Sequence, residues 1–333
     1  MKFNGFKEYL HKQNLDEDKI GSAIEILREF DEFVSRKQSS TEKSTYDDVH
    51  NFSEYLIKNK KNSYDNYVYL LRYGHFMTNN NIIIACMEIL DGSEVITNFS
   101  KRLSTEFGEE IRDAIFDIEI PPLGLHPNKR PKITKHLLER FLDRVDHSKC
   151  VAFLADGLRD KYTESYKAGR NKFIEMNNID QFLEFKHQDL IKRLKKHLEE
   201  GKLWYTQEID EKVLEYIKSN RMTEAGLREG NKVIITKVPY MTKQYLNETD
   251  ERKKHYYYCH CPWVREALKE EDQPVNPIFC NCSGGYYKNY WEAILEQPVK
   301  VELLESVLMG DQVCKFALHL PQGIVEKIES KKS

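Results

Sequence analysis

The sequence predicts an α+β multidomain protein, with an N-terminal helical bundle, a helical middle region and a C-terminal antiparallel sheet with helices packed on it. The chain has 333 residues, more than one hydrophobic core usually serves. Apolar residues recur every three or four positions over the first two thirds, as amphipathic helices require. From about residue 230 the spacing changes to the short, partly alternating runs typical of β-strands.

Residues 1–95 form the predicted N-terminal bundle of four or five helices. Apolar side chains repeat at helical spacing from Ile20 to Phe33 and again over 49–56 and 67–76, with polar breaks between these groups. The middle region covers 96–200 and contains a proline-rich joint, IPPLGLHPNKRPK at 120–132, which interrupts any helix. Residues 201–325 form the predicted C-terminal domain.

Composition narrows the function classes. Charged residues make up 32% of the chain, and the net charge is -3, so a strongly basic nucleic-acid-binding protein is excluded. The N-terminus lacks the apolar core of a signal peptide, and no apolar run is long enough to cross a bilayer. These features predict a cytoplasmic protein without a membrane partner. In a reducing compartment its seven cysteines should stay as thiols or bind metal.

The C-terminal domain alternates short strand-like and helix-like segments. The runs KVIITKV, HYYYCHC, VKVELLESV and VCKFALHL are β-branched or aromatic and predict strands. Between them, TKQYLNE, PWVREALKEED and GGYYKNYWEAILEQ have helical patterns. A sheet packed against helices accounts for this order.

Five cysteines concentrate in this domain and mark its candidate site. They form two C-x-C pairs and a later single residue: Cys259 and Cys261, Cys280 and Cys282, and Cys314. Zinc prefers four such donors in a tetrahedron, and alternate residues of an extended segment can direct two thiols to one ion. His255 or His260 could replace one sulfur. Zinc binding is therefore the first of two uses that remain open.

The second use is nucleophilic catalysis. Cys282 precedes Ser283, Gly284 and Gly285, which we expect to lead into a helix whose free N–H groups would stabilise a thiolate and supply an oxyanion hole. His260 is the candidate base. Under this alternative the protein is an enzyme with a cysteine nucleophile.

Aromatic and basic residues around the cysteines are candidates for binding a small molecule. Trp263 and Arg265 follow the Cys261-Pro262 pair, and Tyr286, Tyr287 and Tyr290 lie just after the second C-x-C pair. Aromatic rings could line an apolar pocket, and the guanidinium could receive an anionic ligand. The same rings at strand and helix spacing also suit a hydrophobic core.

The N-terminal bundle resembles the SAM-like core-binding domain of phage-type integrases. The matching segments are FKEYLHKQNLDEDKIGSAIEILREFDEFV, STYDDVHNFSEYL and SYDNYVYLLRYGHFM. No histidine is followed by arginine three residues later, so the resemblance does not extend to a recombinase. It implies a weak DNA contact through Lys58, Lys60, Lys61 and Arg72, or docking to a protein partner.

The segment FCNCSGGYYKNYWEAILEQPVKVELLESVLMGDQVCKFALHL is similar to the 4-vinyl-reductase-type small-molecule-binding domain. The same layout occurs in 2-aminothiazoline-4-carboxylate hydrolase-like proteins, and YCHCPWVRE with FCNCSGG looks like an uncharacterised bacterial family. The first resemblance implies zinc held at Cys280 or Cys282, at the strand position occupied by Ser306, and at Cys314. Serine is a poor zinc ligand, so Cys259 or Cys261 would supply the missing thiolate.

Together these features predict a small-molecule-binding or sensory protein with a cysteine-rich, zinc-binding C-terminal domain. The N-terminal bundle would relay to DNA or a protein partner, and the sequence leaves open whether the chain forms a homodimer. The alternative, implied by the resemblance to 2-aminothiazoline-4-carboxylate hydrolase-like proteins, is a cysteine- or zinc-dependent hydrolase of a small C–N bond.

Overall fold

The computed structural model describes residues 3–36, 40–160, 163–270 and 275–330. The chain forms two compact units: Met1–Ser93 with Glu119–Arg130, and Glu94–Ile118 with Pro131–Ser333. The predicted division had three parts. In the structure the middle helices share one hydrophobic core with the sheet, and most of the proline-rich segment belongs to the first unit.

The first unit is a bundle of amphipathic helices around an aromatic core. Its helices are α1 (Phe3–Lys12), α2 (Glu17–Ser35), α3 (Tyr46–Lys58), α4 (Tyr64–Met77) and α5 (Asn80–Leu90). Side chains that accept hydrogen bonds from first-turn N–H groups fix where several of them begin; these caps are Asp16, Thr45, Ser63 and Asn79. Local capping and the apolar stripes therefore specify this unit.

A buried polar group lies inside this bundle. His50 and Glu88 are 1% and 3% exposed, and Arg130 donates a hydrogen bond to the Glu88 carbonyl oxygen at 3.2 Å. Neither ring nitrogen of His50 has a hydrogen-bond partner within the described residues. Burial lowers the pKa of His50 from 6.5 to about 4, although Glu88 raises it in part.

The second unit contains the remaining helices and the sheet. Its longer helices are α6 (Val95–Phe107), α7 (Glu109–Ile115), α8 (Arg130–Arg144), α9 (His147–Ala155), α10 (Thr163–Met176), α11 (Ile179–Glu200), α12 (Glu211–Ser219), α13 (Thr242–Asn247), α14 (Glu251–Tyr258), α15 (Asn281–Leu295) and α16 (Gln322–Ser330). Only α8 begins before the unit boundary, at Arg130. Within the described ranges, no helix combines the length and apolar character of a membrane span.

The sheet is antiparallel, as predicted, and confirms the α+β class. Its strands are β1 (Leu227–Glu229), β2 (Lys232–Thr236), β3 (Lys300–Glu305) and β4 (Lys315–His319), and their order is β1-β2-β4-β3. Successive residues Phe316, Ala317 and Leu318 of the central strand β4 are all buried. Because neighbouring residues of a strand face opposite sides, both faces of β4 are covered.

Two segments differ from the predicted elements. The run HYYYCHC was predicted as a strand, but its tyrosines end α14, and Cys259 follows in extended backbone as the C-cap. The helix predicted over PWVREALKEED is a short 3-10 helix, Arg265–Lys269, in its described part, and its last two positions, 271–272, lie outside the described residues. Three adjacent tyrosines suit a strand by propensity, but the capped turn begun by Asp250 and the packing of Tyr258 into the core place them in a helix.

Gly284 and Gly285 were expected to lead into a helix. They lie inside α15 instead, because that helix already begins at Asn281. An added Cβ at Gly285 would lie 2.2 Å from the Cα of Gly157. Gly157 has a φ of +83°, which favours glycine. The two glycines thus let the backbones of α15 and the turn after α9 approach closely, which sets the position of the cysteines at the start of α15.

The buried histidine makes the first unit sensitive to acid. Because the folded-state pKa of His50 is depressed, its stabilising contribution is complete above pH 6.5 and falls as the pH decreases toward 4. We expect the free energy of unfolding to drop by up to about 3 kcal/mol over that range from this group alone. In His50→Leu the drop should be smaller by that amount, as measured by chemical denaturation at several pH values. An unchanged pH dependence would contradict the assignment.

Candidate cysteine site

The five predicted cysteines come from three separate segments of the second unit. Cys259 and Cys261 follow the C-terminus of α14, Cys280 and Cys282 lie at the start of α15, and Cys314 immediately precedes β4. The backbone N–H of Lys237 donates to the Cys314 carbonyl at 3.1 Å, which extends the β2–β4 pairing to this residue. Two helix ends and one strand end therefore bring these cysteines into one region.

The thiols are close enough to influence one another. Burial is the first cause of the raised pKa values of Cys259, Cys280, Cys282 and Cys314. Cys261 raises the pKa of each of these four further, because a charge on one sulfur would repel a charge on the next. Cys261 is therefore the common neighbour of the other four, and those four thiols are protonated at neutral pH when no metal is bound.

Cys282 lies at the edge of the group. Its pKa rises to about 11, and Cys261 is the only other cysteine among the causes. The backbone at Leu158 and the side chains of Arg159 and Lys237 lower it in part. By contrast, Cys259, Cys261 and Cys314 all raise the pKa of Cys280. The structure thus separates Cys282 from a closer set of four, Cys259, Cys261, Cys280 and Cys314, which we call the thiol cluster.

Ser306 joins this cluster as a hydrogen-bond donor. Its hydroxyl donates to Cys280 Sγ at 3.1 Å and accepts from the Leu308 N–H at 3.1 Å. The Ser306 N–H donates to the Asp311 carboxylate at 2.8 Å, which holds the turn between β3 and β4. Ser306 is fully buried. The three positions carried over from the resemblance, Cys280, Ser306 and Cys314, therefore lie in one neighbourhood.

Cys282 lacks the helix N-terminus that was expected to activate it, and the Nε2 of the predicted base His260 is engaged with a backbone carbonyl. The 3-10 helix Pro277–Cys280 runs directly into α15, and the Asn281 N–H bonds to carbonyls of that 3-10 helix, so the helix does not begin at Cys282. The Nε2 of His260 faces the Val238 carbonyl and must be its donor. His260 therefore cannot accept a thiol proton through Nε2, and burial raises the Cys282 pKa.

His255 is the second histidine beside the cluster. It lies one turn before Cys259, whose N–H donates to the His255 carbonyl at 3.0 Å. Burial lowers the pKa of His255, while Glu251 and Asp311 raise it in part. Its Nε2 is buried and has no hydrogen-bond partner among the described residues. A neutral imidazole with such a nitrogen can act as a metal ligand or as a hydrogen-bond partner of a bound molecule.

The cysteine and histidine side chains of the candidate site do not point toward a common position where a metal ion would bind. Among the described residues, no group of three or more His, Cys, Asp or Glu side chains is arranged to hold a metal ion. The donor set nevertheless has the composition that zinc prefers, namely several thiols with a neutral imidazole nearby. The chemistry of the residues fits zinc, whereas binding would require the thiols to reorient.

The five predicted ligand-binding residues lie in different surroundings. Trp263 is buried, and its carbonyl accepts from the Thr134 hydroxyl at 2.9 Å. Arg265 is buried with its guanidinium over the rings of Tyr240 and Tyr256, at 4.3 and 5.4 Å. This stacking uses the cation inside the protein.

The three tyrosines of α15 also diverge. Tyr287 packs against Phe316 of β4 with ring centroids 5.3 Å apart, Tyr286 is 49% exposed, and Tyr290 lines a cavity beside α10 and α11. These tyrosines therefore do not share one pocket within the described part of the chain.

Sequence reasoning missed two features around α15. Lys186, on α11, lines the same cavity as Tyr290. Glu224 is a carboxylate with a pKa raised by burial, and it accepts from the Tyr287 hydroxyl at 3.5 Å. Lysine on an amphipathic helix ordinarily indicates a solvated face, so the pattern offered no signal for Lys186. Glu224 has a φ of +57° in a turn, which sequence spacing cannot reveal.

Residues 202–324 match the model of a family of unknown function, DUF6144. The match includes the whole sheet and all five cysteines of the site. No curated protein and no solved structure matches the chain. The C-terminal region is therefore similar to that family, and the resemblances to integrase-type and 4-vinyl-reductase-type domains stay predictions.

Thiol reactivity tests the electrostatic description. In metal-free native protein at pH 7 we expect slow alkylation of Cys259, Cys280, Cys282 and Cys314 by iodoacetamide, because raised pKa values leave little thiolate. Cys282 should react faster as the pH rises toward 11. Mass spectrometry after timed labelling measures each site, and denatured protein gives the full rates. One cysteine that reacts rapidly at pH 7 would instead favour the nucleophile.

Proposed function

We propose that the second unit is a small-molecule-binding or sensory module built around a thiol cluster that binds Zn²⁺. The observation that carries this proposal is the meeting of four cysteines that are up to 55 residues apart in the chain. Cys259 and Cys314 are buried in one core, and Cys261 and Cys280 pack against it half-buried. Core cysteines that serve only as small apolar residues have no reason to gather.

The electrostatics suit a cation. Each ionised thiol in the cluster raises the pKa of its neighbours, so the metal-free site holds protons. A divalent ion would replace them with its own charge, and its affinity should therefore increase with pH. When bound, zinc would serve to hold α14, α15 and β4 together or to present an open position to a ligand.

The four cysteines of the thiol cluster can supply four thiolate ligands, so Ser306 is not needed as a ligand. In the resembling domain the Ser306 position is a cysteine, whereas here the serine hydroxyl donates to Cys280 Sγ. That hydrogen bond lowers the pKa of Cys280 against the effect of burial. We assign Ser306 the role of supporting the Cys280 thiolate, while Cys259 and Cys261 contribute the additional sulfurs.

The hydrolase alternative has less support from the geometry. Its nucleophile Cys282 has a raised pKa, and its base His260 is engaged through Nε2 with the Val238 carbonyl. A thiol nucleophile needs a lowered pKa or a base in contact. We therefore propose metal binding rather than catalysis as the function of these cysteines.

The remaining parts of the proposal concern partners and location. Reduced thiols are consistent with a cytoplasmic protein. The first unit would connect the sensor to a protein partner or weakly to DNA, but Lys61 pairs with Glu29 and Arg72 donates to Gln13 at 3.2 Å. These internal contacts favour the protein partner, and a homodimer is one such arrangement.

Metal content tests this proposal. We expect about one zinc ion per chain by elemental analysis of protein purified without chelator or nickel. Cys261→Ser, at the centre of the cluster, should lose the metal and lower the melting temperature in zinc-containing buffer. Cys282→Ser is the matched control, since it changes the same residue type at the edge and should retain the metal.

Two outcomes would oppose the proposal. Wild-type protein that takes up no zinc after dialysis against the ion would exclude the site. Equal zinc loss in Cys261→Ser and Cys282→Ser would show that the four-thiol cluster is not the ligand set. Circular dichroism on each variant separates loss of metal from loss of fold.

A further inference from the structure

The cavity lined by Tyr290 lies among α10, α11 and α15. Its volume is about 390 Å³, within the range of about 300–1,000 Å³ typical of small-molecule sites. Phe182, Phe185 and Tyr290 supply aromatic walls. Neither the four cysteines of the thiol cluster nor Cys282 lines it, so it is distinct from the proposed metal site.

Charged groups line the remainder of the cavity, and most already have partners. Arg193 Nε lies 2.9 Å from the Asp189 carboxylate. Lys172 Nζ donates at 2.9 Å to both carboxylate oxygens of Glu175. Lys172 and Arg193 are therefore neutralised by carboxylates from their own helices.

Lys186 differs from these two cations. Its Nζ lies 4.2 Å from the ring centroid of Tyr290 and 4.9 Å from that of Trp291. Within the described residues it makes no ion pair and donates no hydrogen bond to a protein oxygen. The faces of two aromatic rings hold the ammonium at the cavity wall, but they offer it no hydrogen-bond acceptor.

The position of Lys186 lowers the pKa of its ammonium group. Burial lowers its pKa to about 8; Glu224 raises it in part, and Arg193 lowers it slightly. At neutral pH the group is still mainly protonated. Lys186 is half-buried by its solvent exposure, and a partly desolvated cation that meets no hydrogen-bond acceptor among the described residues gains most from a ligand that brings one negative charge.

We propose that this cavity binds a small aromatic monocarboxylate, with the carboxylate on Lys186 Nζ and the ring against Phe182, Phe185 and Tyr290. One cation without a carboxylate partner matches one negative charge, whereas a phosphate dianion would need more. The proposal names the ligand class for the small-molecule-binding part of the proposed function and rests on that part. It does not require zinc in the thiol cluster.

Lys186 also has a structural explanation, in which its aliphatic stem covers Trp291 and its ammonium only reaches toward solvent. That explanation predicts a loss of stability in a Lys186 variant. It does not predict discrimination between a charged ligand and a neutral ligand of the same shape, so charge selectivity separates the two explanations.

The test is isothermal titration calorimetry with 1-naphthoate and its neutral analogue 1-naphthamide. We expect wild-type protein to bind the carboxylate at least about tenfold more tightly than the amide. Lys186→Met should remove that preference while keeping an aliphatic stem of similar length. Lys192→Met, an exposed change on the same helix, should leave both affinities unchanged. Ala168→Trp, at an exposed position on the cavity wall, should weaken binding of both probes.

The proposal is wrong if the two probes bind equally, if neither binds at millimolar concentration, or if Lys186→Met keeps the preference. Should Lys186→Met fail to fold, Ala168→Trp together with the probe comparison in wild type still decides the matter. Zinc content is measured on the same samples. Zinc uptake without naphthoate binding would reject this ligand assignment alone, and naphthoate binding without zinc would reject the metal site alone.

Discussion

The candidate site depends on the burial of several thiols where two helix ends and one strand end meet. Burial raises the pKa of Cys259, Cys280, Cys282 and Cys314, and the neighbouring sulfurs add to that effect. Such an arrangement is stable while the thiols are protonated, and it becomes a strong ligand set when a cation replaces the protons. The same property disfavours a free thiolate nucleophile. Burial of the thiols therefore favours metal binding over cysteine catalysis, the two functions suggested by the sequence.

The supporting structure explains why the cysteines can meet. Cys314 is fixed by its carbonyl hydrogen bond from Lys237 beside the β2–β4 pair, and the start of α15 is placed by the close approach of Gly285 to Gly157. A side chain at Gly285 would collide with backbone, which cannot move cheaply. The glycines next to the second C-x-C pair thus serve packing rather than an anion-binding turn.

Much of this could be predicted from the sequence, and the exceptions have physical causes. Helical periodicity predicted the bundle, and the runs at β2, β3 and β4 predicted the antiparallel sheet, because both patterns are local. The strand prediction for the tyrosines before Cys259 is wrong. Their β-propensity favours a strand, but helix capping and packing into the core outweigh that propensity. The cavity beside Lys186 forms where α15 meets α10 and α11, which lie far before it in the sequence, and no local pattern reveals such a juxtaposition. The cysteine residues were predicted by type and spacing, whereas the central place of Cys261 and the edge position of Cys282 required coordinates.

Cobalt substitution tests the central claim most directly. Co²⁺ replaces zinc in thiolate sites, and its absorption spectrum reports both geometry and the number of sulfur ligands. We predict tetrahedral d–d bands and intense sulfur-to-cobalt charge transfer, of a strength typical of four thiolates, on titration of the reduced protein at neutral pH. A spectrum of octahedral cobalt without charge-transfer bands would contradict the account, because it would mean that the clustered cysteines do not bind the ion.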